Sequence, residues 1–281
     1  MALLSQCTLK YGVTAIRDAF YRGVSVFGFN PASLFASGEQ GAWYDPSDFA
    51  TMFQDAAGTT PVTAVGQPVG KINDKSGRGN HATQATAAAR PVLRQDGNGK
   101  YYLEYDGVDD NLSTADINFT ATDKMSVFVG ITNNRNSQIQ GFITLGPSTT
   151  EGNFLNWLPG SAGQNHYEMG QFSGTNSYAR WTAPAPPYTK VITEQLDLAQ
   201  PVIGNRYKWR ENGSQLAQIA GYTAGTAGVF KNDTLSLGQV GGGSPYSGRI
   251  YSLILRGALS TTQEITDTEK WVAGKTGVTL P

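Results

Sequence analysis

The run YYLEYDGVDDNLS, Tyr101 to Ser113, is aromatic and alternating until it stops at Asp106, Asp109 and Asp110 around Gly107. Alternation puts Tyr101, Leu103 and Tyr105 on one face of a strand and Tyr102 and Glu104 on the other. The aspartates allow three readings. They could be catalytic, they could hold a calcium ion with Asn111 as a further oxygen donor, or they could only turn the chain by accepting backbone N–H bonds. The spacing is not that of an EF-hand loop, and the turn is the simplest of the three.

Outward from this stretch the strand signals repeat. RPVLR precedes it, and MSVFVGITN, GFITLG, NFLNW, YTKVITEQL, NDTLSLGQV and RIYSLILRG follow, separated by Gly, Asn and Ser. In YKWRENGSQLAQIA, Asn212-Gly213 between extended arms predicts a tight hairpin. Strands this frequent predict an all-β antiparallel two-sheet sandwich. One helix closes the chain. Ser260 and Gln263 predict a capping box, Glu264 and Lys270 suit the helix dipole, and Gly274 is the expected C-cap.

Composition bounds the function. The chain has 281 residues, 34 of them Gly, with 39% hydrophobic and 15% charged side chains and a net charge of −1. It is long enough to bury a core without disulfides. No basic patch exists for nucleic acid or an anionic membrane. No apolar run reaches the length of a membrane span. Cys7 is the single cysteine, so no internal disulfide framework is expected. MALLSQC lacks the basic start and apolar length of a signal peptide and reads as ordinary mature sequence.

Residues 1–36 differ from the rest. VTAIRDAFYRGV spaces Val13, Ile16, Phe20 and Val24 as on an amphipathic helix. Leu3, Leu4, Phe27 and Phe35 extend the apolar surface. The segment is expected to anchor the chain to a partner or to fold back on residues 37–281.

The ordered series DKSGRGNHA (Asp74 to Ala82), RPVL, LEYDGVDDNLS, the ENG hairpin, TLSLGQ and YSGRIYSLILRGALSTTQEITDTEKWVAGKTGV resembles the laminin-G-like, concanavalin A-like jelly-roll domains of bacterial and phage proteins. The resemblance spans about residues 41–278. It implies a jelly-roll sandwich, and GAWYDPSD resembles the start of such domains in bacteriophage and prophage virion proteins. The implied function is a virion structural protein, a fibre, spike or head appendage. Its N-terminal segment would meet portal, tail or capsid proteins. Homo-oligomers, with three-fold symmetry usual in fibres, are implied by the same resemblance. Attachment to a host surface glycan is a second role. The rivals are a capsid or neck decoration protein without sugar binding and a glycan-degrading tail enzyme.

The residues themselves favour no chemistry. Glycosidases of this fold pair carboxylates on one strand, whereas Glu104, Glu168 and Glu194 stand alone in theirs. His81 and His166 lie far apart, and no Gly-x-Ser-x-Gly elbow is present. No catalytic residue and no cofactor beyond calcium is expected. For sugar binding, Trp157, Tyr167, Tyr178, Trp181 and Tyr246 lie in or near loop-like stretches. The competing reading for each is the core, where sandwich aromatics gather.

Overall fold

Alternating apolar residues need two surfaces to bury against, and the chain supplies them as two antiparallel sheets. The computed structural model describes residues 28–135, 138, 140–146, 154–158, 166–172, 176–222, 228–240 and 243–281. Among these, the first sheet runs β15-β14-β13-β8-β18-β6-β5, with β1 also paired to β18. Its strands are β1 (Gly41–Tyr44), β5 (Val92–Gln95), β6 (Tyr101–Asp106), β8 (Lys124–Asn133), β13 (Tyr188–Asp197), β14 (Tyr207–Glu211), β15 (Ser214–Gln215) and β18 (Ser247–Arg256). The second runs β16-β12-β11-β10-β9-β17-β7-β4-β3-β2. It comprises β2 (Met52–Phe53), β3 (Lys71–Ile72), β4 (Ala82–Thr83), β7 (Leu112–Asn118), β9 (Gln140–Leu145), β10 (Phe154–Leu158), β11 (His166–Phe172), β12 (Asn176–Thr182), β16 (Gln218–Tyr222) and β17 (Asn232–Leu237). The expected all-β sandwich is what forms.

The first sheet is covered on both faces at its centre, which explains why β8 is buried at every position from Met125 to Asn133 rather than at alternate ones. Met125, Val127, Val129 and Ile131 enter the inter-sheet core, as do Leu103 and Tyr105 of β6. The opposite face meets the C-terminal helix α1 (Thr262–Thr276). Gly130 allows this approach, because a Cβ there would stand 2.4 Å from the Thr276 methyl carbon. Gly41 does the same for β1, where a Cβ would stand 2.0 Å from the Leu255 carbonyl oxygen.

Three local expectations move by a few residues. The capping box is Thr261 with Glu264, not Ser260 with Gln263. The Thr261 side chain accepts from the Glu264 N–H, and Glu264 accepts from the Thr261 N–H at 2.7 Å. Ser260 is already engaged, donating its N–H to Ser126 Oγ at 2.9 Å and accepting from Arg256 at 3.2 Å. The C-cap is Gly277 in the left-handed region, not Gly274, and Lys275 rather than Lys270 is the cation of the last turn. The hairpin at Asn212-Gly213 forms as expected, with φ of 48° and 83°, the positive pair a type I′ turn requires.

Residues Pro31 to Pro281 form one compact unit. Phe35, counted with the anchoring segment, belongs to it. It ends a 3-10 turn, Pro31–Phe35, that packs on β18, and it is buried. This corrects its assignment to a partner-facing surface, because its ring is spent on the sandwich. Leu3, Leu4, Val13, Ile16, Phe20, Val24 and Phe27 lie outside the described residues. No helix among the described residues is long and apolar enough to cross a membrane.

Candidate functional site on the outer face of the second sheet

Strand alternation sorts the second sheet into an inner and an outer face. Phe154, Asn156 and Leu158 of β10, Tyr167 and Met169 of β11, and Ala179 and Trp181 of β12 are buried. Their neighbours in β11 and β12, His166, Glu168, Tyr178 and Arg180, therefore belong to the opposite face. Register aligns them across strands. Trp157 stands opposite Glu168, Glu168 opposite Arg180, and Arg180 opposite Ala220.

The side chains form one cluster. Arg180 Nε donates to Glu168 Oε2 at 2.6 Å, and His166 Nε2 lies 3.8 Å from the same oxygen. The Arg180 guanidinium lies 4.9 Å over the Tyr178 ring. Burial raises the Glu168 pKa, with Arg180 opposing. Burial, and then the Arg180 charge, lowers the His166 pKa, so the imidazole is neutral near pH 7. An aromatic ring, a partly exposed guanidinium with five N–H donors and a neutral imidazole are thus brought to one face. Such a set can pack against a sugar's C–H face and hydrogen-bond its hydroxyls.

Of the five aromatics singled out for sugar binding, this face holds Tyr178, and the Trp157 side chain lies outside the described residues. The other three are core residues, and their assignment to a ligand is corrected. Tyr167 stacks on Trp209 at 4.7 Å and donates to Glu211 at 2.7 Å. Trp181 also stacks on Trp209, at 5.5 Å. Tyr246 lies between Tyr105 and Phe142 and donates to the Thr132 carbonyl at 2.7 Å. A ring buried on all sides offers no face to solvent.

His166, Glu168 and Arg180 went unnoticed in the sequence as a group. Glu168 looked isolated because its partner is on the next strand. The three strand acids have separate fates. Glu104 pairs with Arg94 at 2.8 Å, Glu168 with Arg180, and Glu194 with Asn156 inside the core.

The aspartates of Tyr101–Ser113 make the turn between β6 and β7. Asp110 accepts from the Asp106 N–H at 3.0 Å, Asp106 accepts from the Val108 N–H at 2.8 Å, and Gly107 takes a φ of 78°. Their carboxylate oxygens lie within 4.8 Å of one another. Burial, ahead of repulsion from Asp106 and Asp109, pushes the Asp110 pKa up to about 6. Three hard oxygens this close have the chemistry a calcium ion takes.

No family model and no curated protein matches the chain. Solved structures do match its fold. The botulinum neurotoxin type G receptor binding domain aligns with a TM-score of 0.51 and 11% identity, over 71% of this chain and 48% of that one. Domain 4 of AbnA, a GH43 extracellular arabinanase from Geobacillus stearothermophilus, in complex with arabinotriose, aligns at 0.53 and 14%, over 82% and 98%. The chain spans about half the length of the toxin structures it matches. At these identities the likeness is one of fold, the β-sandwich.

Proposed function

We propose that this chain is a glycan-binding β-sandwich module that does no chemistry on its ligand. The observation that carries the reading is the cluster of Tyr178, Arg180, Glu168 and His166 on the outer face of β11 and β12. The arabinotriose named for the arabinanase domain and the receptor binding named for the toxin domain support it as neighbours in fold. A glycan array tests it with the parent chain and two variants, Tyr178→Ala and Arg180→Gln. The parent should retain a defined set of glycans, and each variant should bind them at least about tenfold more weakly. An unlabelled array with the parent, or variants that bind as the parent does, would overturn the reading.

A finer version of the same reading sets the chain on a bacteriophage virion. Residues 1–36 anchor a homo-oligomer to a portal, tail or capsid protein and display the sandwich outward. It is supported by the ordered motifs from DKSGRGNHA to the C-terminal helix. Cryo-EM of the particles that carry the chain tests it, and its absence from them would sink it. The calcium expected at Asp106, Asp109 and Asp110 belongs here too. Millimolar calcium should raise the melting midpoint of the parent and leave an Asp109→Asn/Asp110→Asn variant unmoved. An equal midpoint with and without the ion in the parent would remove it.

A further inference from the structure

The part of the second sheet that holds Tyr178, Arg180, Glu168 and His166 carries a single pair of charges. Residues 154–182, which supply β10, β11 and β12, contain Glu168 and Arg180 as their only acidic or basic side chains apart from His166. Residues 218–230, which begin with β16, contain none. Asn, Gln, Ser and Thr supply the polarity of both stretches instead.

The two charges are spent on each other. The Glu168 side chain is 6% exposed and accepts from Arg180 Nε at 2.6 Å. A guanidinium at this distance favours the ionised form of a buried carboxylate, so the pair is Glu⁻ with Arg⁺. The guanidinium also lies 4.9 Å over the Tyr178 ring. His166 adds no charge near pH 7, because burial and then the Arg180 charge lower its pKa. The cluster is therefore polar and neutral in sum.

That balance sorts ligands by charge. A carboxylate, sulfate or phosphate group brought to Arg180 would lie beside the Glu168 carboxylate, which already neutralises the cation, and the two anions would repel. An uncharged sugar meets no such cost. Its hydroxyls can bond to the partly exposed Arg180 and His166, and its C–H face can pack on Tyr178. Resting on the glycan-binding reading above, we propose that this face selects neutral glycans, and that Glu168 excludes acidic ones by holding Arg180 in a closed ion pair.

A glycan array built of matched pairs tests the proposal on the full chain near neutral pH. Lactose is printed beside its sialylated form, xylotriose beside its glucuronate-bearing form, and further neutral oligosaccharides likewise. Each neutral glycan that the parent retains should bind at least about tenfold more tightly than its acidic counterpart. Raising sodium chloride from about 0.05 M to about 0.5 M should change that binding by less than about twofold, because no net ionic contact forms. Glu168→Gln keeps an oxygen for Arg180 and removes the negative charge. It should raise the affinity for the acidic forms at least about tenfold. Tighter parent binding of acidic forms, or parent binding that falls steeply with salt, would overturn the proposal and leave the glycan-binding reading in place. So would a folded Glu168→Gln with unchanged selectivity. The parent's own pair preference and salt series decide the matter should that variant fail to fold. An array that stays unlabelled would remove both readings together.

Discussion

Asp74→Ala is expected to lower the melting midpoint by roughly 10 °C, a loss on the order of 4 kcal/mol. The Asp74 carboxylate accepts four hydrogen bonds: from the Trp43 N–H at 2.9 Å, the Ser76 N–H at 2.8 Å, the Ser76 hydroxyl at 2.6 Å and the Asn80 N–H at 3.0 Å. Removing it leaves three backbone donors without their acceptor, and Trp43 is a buried strand residue. The loop it organises then holds other elements. Asn80 donates to the Gly41 carbonyl at 2.7 Å and accepts from the Tyr44 hydroxyl, while Arg78 donates to the Phe35 carbonyl. The damage should therefore reach β1 and the 3-10 turn before it. Asp74→Asn keeps one acceptor oxygen and should lose about half as much. Thermal melts of the three proteins decide it. A midpoint for Asp74→Ala within about 2 °C of the parent would mean that other contacts hold the loop.

The second large effect is a pH dependence that Glu194→Gln removes. Glu194 of β13 is fully buried, and one oxygen accepts from Asn156 Nδ2 at 2.8 Å. The other oxygen has no side-chain or backbone donor within reach among the described residues, nor has Asn156 Oδ1. Burial pushes the carboxyl up to about 8 from the ordinary 4.5, the Asn156 bond opposing only in part. The folded chain thus binds a proton that the unfolded chain has already released between pH 4.5 and 8. The stability tied to this proton is complete below about pH 4.5. It falls as pH rises and is lost above about pH 8, in total on the order of 5 kcal/mol. Gln cannot ionise and fills nearly the same space. The variant should match the parent to within about 1 kcal/mol at pH 5 and exceed it by several at pH 9. Other carboxyls titrate too. Arg256 and Lys275 hold Glu39 and Asp45 below their ordinary values, so those groups add stability that is lost as pH falls. The quantity to measure is therefore the difference between the two proteins by denaturant unfolding at each pH. A difference that does not change with pH would show that Glu194 is ionised, or hydrated, in the fold.

Much of the architecture was legible because its causes are local. Alternation in KYYLEY, the Asn212-Gly213 pair and the aspartates around Gly107 each act within a few residues, and each does what its chemistry requires. The motif DKSGRGNHA was legible as a pattern but not as a cause. Its meaning lies in the Trp43 N–H that Asp74 reaches from 31 positions away.

Aromatics show where such reading stops. Tyr167, Tyr178 and Trp181 sit in strands with polar and apolar residues on both sides, and a period of two does not say which phase faces inward. Pairing decided it. Once β11 and β12 lie antiparallel with Tyr167 opposite Trp181, both rings enter the core, while Tyr178 and Arg180 take the other face. Phe35 followed the same rule, because a free apolar ring in the sequence became a buried one when β18 was set beside it.

Local chemistry in the sequence thus determined that this protein is an antiparallel sandwich with a C-terminal helix, because turns, strands and caps are set by neighbours along the chain. Which rings are core and which charges meet on the outer face were decided only by the tertiary structure. Those properties depend on residues brought together across strands, and one phase of alternation or one step of register changes all of them at once.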